Sequence, residues 1–180
     1  SDVWLFPAQT LSQAPNSLFV AISRSGETTE VLKAIETYRA YGGQSVVAIT
    51  CYDSTLSRTA DLSLMAREAQ EIGLAQTRSF TSMLLLTQGL IDIFANKPLN
   101  PALRRLPELG RRLIEENASF AQQFGTEMST RFESYFFLGG GAFYGLACEA
   151  MLKMKEMSLS LSEAYHFMEF RHGPMSMTNP

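Results

Sequence analysis

The segment SLFVAISRSGETT, residues 17–29, joins a continuous apolar run to a loop of hydroxyl side chains around a glycine. A short, unbroken apolar run is typical of a parallel strand that is covered on both faces. We therefore predict a buried strand over Ser17–Ser23. The periodic apolar residues behind the loop predict a helix from about Glu27 to Tyr41, closed by Gly42-Gly43. A strand followed at once by a helix indicates an α/β fold with a parallel sheet.

The loop between this strand and this helix has the chemistry of a phosphate site. The first N–H groups of a helix are unpaired and carry partial positive charge. Hydroxyls add donors, and Gly26 lets a ligand approach the backbone. An ordinary helix cap is the alternative, but a cap needs one hydroxyl, whereas the loop offers Ser23, Ser25, Thr28 and Thr29. We predict that the loop binds a dianionic phosphate.

The residues on either side extend the α/β pattern. Ser45–Thr50 and Asp61–Ala66 are predicted strands, and their alternation with helices indicates right-handed βαβ units. Val3–Phe6 is predicted to be a further short strand. A helix that is apolar nearly all round ends near Phe94 and is expected to be buried in the domain or in a subunit interface. Its hydroxyl-rich entrance, residues 76–81, is equally consistent with helix capping and with a ligand site.

Residues 102–124 predict a long helix that bridges two subdomains. Its apolar stripe is interrupted by Pro107 and Gly110. Arginines and glutamates balance each other along this helix, which indicates a solvated face rather than a nucleic-acid patch.

A second organising segment, LGGGAFYGLACEAMLKMKEMSLSLSEAYHFMEFRHGP, covers residues 138–174. Its helix carries Glu149, Lys153 and Glu156 within roughly 60° of one another around the helix axis. One interpretation is a surface stripe with an i,i+4 ion pair. The other is a pocket in which an acid, a base and a cation meet.

The residues around this helix favour the pocket. Glu163, Glu169 and Arg171-His172-Gly173-Pro174 crowd ionisable side chains into a short region. The strand predicted at Ser134–Leu138 leads into three glycines, but the G-x-G-x-x-G spacing is absent, so a nicotinamide cofactor is rejected.

Composition narrows the function classes. The chain has 180 residues, 46% of them hydrophobic, and a net charge of −3, so we expect one domain or two small ones and no nucleic-acid partner. No apolar run reaches the length of a membrane span, and no signal peptide is expected. The two cysteines, Cys51 and Cys148, have no metal or disulfide spacing, which fits a cytoplasmic protein. The sequence starts without Met, and we expect it to be part of a longer protein.

In combination, these motifs resemble the sugar isomerase (SIS) family. SRSGETT at Ser23–Thr29 is similar to its S-x-S-G-E-T phosphate loop, and TRSFT at Thr77–Thr81 is similar to its T-K-x-F-T segment. Glu149–Glu156 and Glu163–Pro174 resemble the isomerase half of glucosamine-6-phosphate synthases and the related phosphosugar isomerases and deaminases. The resemblance implies a three-layer αβα, flavodoxin-like fold with parallel sheets.

The resemblance also implies two incomplete SIS subdomains. The first would be residues 1–95 and the second residues 130–180, with residues 96–129 as a linking helix. A further phosphate-contacting loop of the family would precede Ser1, and no glutaminase half is expected in this chain. Gln76 stands where the synthases have Ser, and His166 stands where they have a small residue.

Roles for individual residues follow from the resemblance. Ser23, Ser25 and Thr28, with the N–H groups of Arg24 and Gly26, and with Gln76, would bind the phosphate. Glu156 would move a proton between C1 and C2, Lys153 would stabilise the developing negative oxygen, and Glu149 would hold Lys153. His172 would open the sugar ring and would reach a neighbouring subunit's site. No cofactor and no metal are expected.

The expected function is aldose–ketose isomerisation of a sugar or amino-sugar 6-phosphate by a cytoplasmic homodimer with a shared site. Two alternatives stay open: an amino-sugar or fructosamine phosphate deaminase, and a non-catalytic module that senses sugar phosphates.

Overall fold

The computed structural model describes residues 2–178. These residues form two compact units, one ending at Leu103 and the other beginning at Arg104. Both units contain a parallel sheet with helices packed on it, so the predicted α/β class with parallel sheets is confirmed.

The first unit holds a three-stranded sheet in the order β1-β2-β3, with every pair parallel. Its elements in chain order are α1 (Asp2–Leu5), α2 (Pro7–Thr10), a 3₁₀ turn (Ala14–Asn16), β1 (Leu18–Ile22), α3 (Thr29–Ala40), β2 (Ser45–Thr50), α4 (Thr55–Thr59), β3 (Leu62–Met65), a 3₁₀ turn (Arg67–Ala69) and α5 (Arg78–Phe94).

The central strand β2 explains why this unit has three layers. Successive side chains of a strand point to opposite faces of the sheet. Val46 and Ala48 pack with Ile35 and Tyr38 of α3 on one face. On the other face, Val47, Ile49 and Cys51 pack with Met83 and Leu90 of α5. The continuous apolar run SVVAIT is therefore buried on both sides. Two-sided burial was predicted for the strand at Ser17–Ser23, and that prediction is wrong: β1 lies at an edge of the described sheet, and its Leu18, Val20 and Ile22 are 38, 38 and 45% exposed.

The second unit holds a two-stranded parallel sheet. Its elements, with the 3₁₀ turn that leads into them, are Pro101–Arg105, α6 (Leu106–Arg131), β4 (Ser134–Gly139), α7 (Ala142–Ser158), β5 (Leu161–His166), α8 (Phe167–Arg171) and a 3₁₀ turn (Pro174–Met177). The register runs from Ser134 opposite Leu161 to Gly139 opposite His166. The rings of Phe136, Tyr165 and Phe170 pack together beside the two strands.

Helix α6 is solvated along its length. No residue of α6 is buried in the part of the chain that the structure describes, and Arg111 and Arg112 pair with glutamates one turn away. This confirms the balanced, solvated arginine face. Among residues 2–178, no helix is both long enough and apolar enough to cross a membrane.

Three details differ from the sequence predictions. Val3–Phe6 was predicted to be a strand, but Asp2–Leu5 is helical, and Val3 packs on the core beside α3. The long helix runs to Arg131 without interruption because Pro107 lies in its first turn, where a missing N–H costs little. The sequence analysis also missed β5, although LSLSEAYH has a period-2 pattern of apolar residues.

The two-sided burial of the first unit can be tested with matched isoleucines. Ile35 on α3 is completely buried, whereas Ile91 on α5 is 59% exposed. We predict that Ile35→Ala lowers the free energy of unfolding by about 2–5 kcal/mol and that Ile91→Ala changes it by less than about 1 kcal/mol. Urea denaturation followed by circular dichroism measures both, and equal losses would contradict the assigned core.

Candidate functional site

The loop between β1 and α3 is closed by its own hydroxyl groups. The Ser23 and Thr28 hydroxyls share a hydrogen bond of 2.8 Å, and the Gly26 N–H donates to Ser23 Oγ at 3.1 Å. The Glu27 N–H donates to Ser25 Oγ at 3.2 Å. These bonds fix a tight turn over residues 23–28, which we call the anion loop.

The anion loop is also fastened to the start of α4. The Leu56 N–H donates to the Gly26 carbonyl at 3.0 Å, and the Thr55 N–H donates to Glu27 Oε1 at 2.7 Å. This backbone hydrogen bond from Thr55 is the main reason why the pKa of Glu27 is lowered. Gly26 has a φ of +67°, and a Cβ there would lie 1.9 Å from Ser54 Oγ. Only glycine fits this position.

The mouth of α3 keeps donors available for an anion. Thr28 is the N-cap residue, but its side chain makes no capping bond. The N–H groups of Thr29 and Glu30 have no hydrogen-bond partner within residues 2–178. The Ser25 hydroxyl accepts a bond in the loop, so its own proton is free to be donated. A phosphate placed here would meet backbone N–H groups, a hydroxyl and the positive end of the helix.

The Gly26 N–H, a predicted phosphate donor, has another partner in the structure, whereas the bonds of Arg24 involve its guanidinium and carbonyl rather than its predicted N–H donor. The Gly26 N–H is engaged by Ser23. The Arg24 guanidinium donates to the Gly73 and Leu74 carbonyls, at 2.8 and 3.3 Å, and the Arg24 carbonyl accepts from Thr50 Oγ1 and the Cys51 N–H, both at 3.0 Å. Arg24 is thus held from both sides, and the phosphate contacts assigned to Arg24 and Gly26 stay predictions.

The second hydroxyl-rich segment is organised by a carboxylate. Glu71 accepts hydrogen bonds from the Thr77 N–H at 2.9 Å, from Thr77 Oγ1 at 2.9 Å, from the Ser79 N–H at 3.3 Å and from Ser79 Oγ. The side-chain bond from Ser79 is the largest cause that lowers the pKa of Glu71 to about 2. Gln76 is half-buried and makes no hydrogen bond with any described residue.

In the second unit, α7 brings the three predicted catalytic charges together. Lys153 Nζ lies 3.3 Å from Glu149 Oε1 and 2.5 Å from Glu156 Oε2. The side chains of Glu149, Lys153 and Glu156 are only 19, 20 and 26% exposed, whereas Leu146 on the same helix is 51% exposed. Burial lowers the pKa of Lys153, but its bonds and charge interactions with the two glutamates outweigh burial, so the pKa is raised. Lys153 therefore stays a cation between two carboxylates.

The remaining predicted residues of this region lie on β5 or after its end. His172 follows α8 and is exposed, and its N–H donates to the Glu169 carbonyl at 3.0 Å. His166, the last residue of β5, stacks on Tyr144 with ring centroids 3.8 Å apart. Glu163 is exposed and lies 3.5 Å from Lys155 Nζ. No group of three His, Cys, Asp or Glu side chains within residues 2–178 could hold a metal.

The sequence analysis missed three residues that shape the anion loop and its surroundings. Ser54 caps α4 in a capping box with Ser57 and packs against Gly26. Glu27 binds the first N–H of α4, and Glu71 binds the start of α5. The spacing of Ser54 and Ser57 at the start of a short helix was a usable signal for the capping role of Ser54. Glu71 left only a weak signal, since it is six residues from Thr77 in what reads as a polar loop.

Comparison with known proteins identifies relatives of the chain. Residues 8–92 match the SIS domain family. The chain is 35% identical over 169 residues to the glutamine–fructose-6-phosphate aminotransferase [isomerizing] of Pyrobaculum aerophilum. That alignment covers 90% of the chain and 28% of the enzyme, so the chain spans less than a third of the curated relatives it matches.

Solved structures support the same relationship. Glucosamine-6-phosphate deaminase from Thermotoga maritima superposes with a TM-score of 0.74 and 31% identity over 90% of the chain and 49% of that enzyme. Tagatose-6-phosphate ketose/aldose isomerase from Escherichia coli superposes with a TM-score of 0.82 and 24% identity over 99% of the chain and 50% of that enzyme. The second likeness shows a shared fold.

The need for glycine at position 26 can be measured. We predict that Gly26→Ala lowers the free energy of unfolding by about 2 kcal/mol or more, because the new Cβ meets Ser54 and the left-handed φ is strained. Gly89→Ala is the matched control: Gly89 lies inside α5, where a Cβ would make an ordinary contact of 3.6 Å. Its stability should stay equal or rise by up to about 1 kcal/mol. Equal behaviour of the two variants in urea denaturation would refute the loop geometry.

The depressed pKa of Glu71 predicts a pH dependence. A carboxylate whose folded pKa is lowered stabilises the fold above its unfolded pKa, and this contribution is lost as the pH falls toward the folded pKa. The stability difference between wild type and Glu71→Gln should be largest above pH 4.5 and should shrink as the pH approaches about 2. Denaturation at several pH values measures it, with Glu68→Gln as the control. A stability difference between wild type and Glu71→Gln that stays constant with pH would contradict the lowered pKa of Glu71.

Proposed function

Since its residues 8–92 belong to the SIS domain family, we propose that this chain is part of a phosphosugar isomerase that interconverts an aldose and a ketose 6-phosphate. The observation that carries the proposal is the half-buried Glu149–Lys153–Glu156 arrangement on α7. Three charges that are less exposed than Leu146, Leu152 and Met157 on the same helix are difficult to explain as a surface stripe. They are suited to proton transfer at a bound substrate.

In the proposed mechanism, the anion loop binds the phosphate through Ser23, Ser25 and Thr28 and through the free N–H groups at the mouth of α3. This binding fixes one end of the sugar and leaves C1 and C2 as the reacting end. A phosphate monoester has oxygens that accept from several donors at once, so a loop with hydroxyls and backbone N–H groups binds phosphorylated sugars in preference to unphosphorylated ones.

Glu156 is the proposed general base. It takes the proton from C2 of the open-chain aldose, which gives a cis-enediol (an enolamine where C2 carries an amine), and it returns the proton to C1 to give the ketose, or the ketimine from an amino sugar. The hydroxyl proton at C2 is lost as the carbonyl forms there, and the carbonyl oxygen at C1 gains one. Lys153 stabilises the negative charge that develops on these oxygens, and Glu149 holds Lys153 in place.

His172 is the proposed ring-opening residue, with its imidazole moving the proton between the anomeric hydroxyl and the ring oxygen. It is exposed on the turn after α8, which is a suitable position for reaching the site of a second subunit. The proposal therefore includes a cytoplasmic homodimer with shared sites, and it requires no cofactor, metal or nucleic acid.

A deaminase of an amino-sugar phosphate is the second candidate, and the likeness to the Thermotoga maritima deaminase favours it. Removal of the amine passes through the same C2 proton transfer, because an enolamine at C1–C2 precedes loss of ammonia. Product analysis distinguishes the two: the deaminase releases ammonia from glucosamine 6-phosphate, and the isomerase does not.

Proton exchange at C2 tests the proposed function. In D₂O, the full-length protein should catalyse the exchange of deuterium into C2 of glucosamine 6-phosphate or C1 of fructose 6-phosphate. Proton NMR of the sugar phosphate measures this exchange. Glu156→Gln should slow this exchange by about 10²–10⁴-fold and leave the dissociation constant of the sugar phosphate nearly unchanged. Glu163→Gln, at an exposed position on β5, is the control and should exchange like wild type.

Two results would contradict the assignment. If the wild-type protein binds these sugar phosphates but neither exchanges their protons nor releases ammonia, the proposed enzymatic function is wrong. If Glu156→Gln exchanges the proton as fast as the wild type, Glu156 is not the general base.

A further inference from the structure

Residues 71–79, here called the strap, connect the end of the first sheet to α5 and are held at both ends by side chains. At the start of the strap, the Gln70 side chain donates to the Cys51 carbonyl at 2.8 Å, and the Tyr52 hydroxyl donates to the Glu71 carbonyl at 3.0 Å. These bonds fasten the strap to the residues that follow β2. The Cys51 N–H in turn donates to the Arg24 carbonyl in the anion loop.

The far end of the strap is fixed by Glu71. Its carboxylate reaches across the strap to the N–H and hydroxyl groups of Thr77 and Ser79 at the start of α5. The strap therefore forms a closed loop whose two ends are joined by the Glu71 carboxylate and by the Arg78 guanidinium, which donates to the Gln70 carbonyl. Ser79, which takes part in this closure, is completely buried.

Between the two ends, the strap is joined to the anion loop by Arg24. Its guanidinium donates to the Gly73 and Leu74 carbonyls in the middle of the strap. These carbonyls can accept from Arg24 only while the strap keeps its curvature. The position of Arg24, and of the residues that follow it in the loop, is thus linked to the Glu71 carboxylate through the strap.

We propose that Glu71 is a positioning residue of the anion loop, acting through the strap and Arg24 and touching no substrate. The proposal rests on the proposed function in that the anion loop is taken to bind the sugar phosphate. Glu71 shapes the strap, the strap holds the Arg24 guanidinium through two carbonyls, and Arg24 fixes the point from which the turn at residues 25–28 starts. Its effect is on phosphate affinity rather than on the proton transfer.

Local hydrogen exchange tests the positioning without any ligand. Glu71→Gln places an amide, with its own donors, opposite the Thr77 and Ser79 donors and so loses part of the closure. In mass-spectrometric hydrogen exchange, peptides covering residues 24–28 of this variant should exchange about tenfold faster than in wild type, while β2 keeps its protection. Glu68→Gln is the matched control, because Glu68 is exposed and makes no hydrogen bond or ion pair with residues 2–178.

Binding and turnover supply the second readout. For fructose 6-phosphate or glucosamine 6-phosphate, Glu71→Gln should raise the dissociation constant about tenfold and lower turnover at saturating substrate by less than about threefold. Arg24→Met should have a similar effect, and the double variant should be no worse than the stronger single variant, since both act through one strap.

The outcomes separate this inference from the proposed function. If exchange at residues 24–28 rises but wild type binds no sugar phosphate, the proposed function fails and the positioning role stands. Unchanged exchange at residues 24–28 overturns the positioning role. It is also overturned if a binding-competent protein shows unchanged affinity in Glu71→Gln, or if the effects of the two single variants simply add.

Discussion

The hydrogen bond between the Ser23 and Thr28 hydroxyls is the interaction on which the candidate phosphate site depends. It closes the anion loop upon itself, and the Gly26 N–H adds a second bond to the same Ser23 oxygen. Because the Thr28 hydroxyl is hydrogen-bonded to Ser23 within the loop, it does not cap the helix that begins after it. The loop is therefore ordered without consuming the donors of Thr29 and Glu30. An unliganded phosphate site needs this combination, since an ordered but uncapped helix start requires little rearrangement when the anion arrives.

A different balance operates on α7 in the second unit. Desolvation opposes the charge of Lys153, and the two glutamates one helical turn away on either side outweigh it. Each partner is an i,i+3 or i,i+4 neighbour, so the backbone of one helix sets all three positions. Surface ion pairs contribute little to stability, and half-burial makes this cluster costly to maintain for stability alone. A catalytic role gives such a cluster a reason to persist, and that reason underlies the proposed function.

The parts of the structure that follow from local pattern were accessible from the sequence, and the parts that depend on long-range contacts were not. The SVVAIT strand and the helix behind SRSGETT were predicted within two residues of their ends, since an apolar run and a helical period are local properties. The charge cluster on α7 was also predicted, because helical spacing alone places its members together. The packing of Ser54 against Gly26 and the bonds from Thr77 and Ser79 to Glu71 depend on how separate segments fold back on one another. The helix at Val3, which packs on the core beside α3, also differs from the strand that its local apolar run indicated.

The most direct test of the account is a titration of the ¹⁵N-labelled protein with fructose 6-phosphate, followed by amide NMR. The account predicts saturable shifts that are largest at the amides of Ser25, Thr28, Thr29 and Glu30, with fructose lacking the phosphate producing none of them. Shifts centred away from the anion loop, or the same shifts with unphosphorylated fructose, would contradict the claim that this loop binds the phosphate.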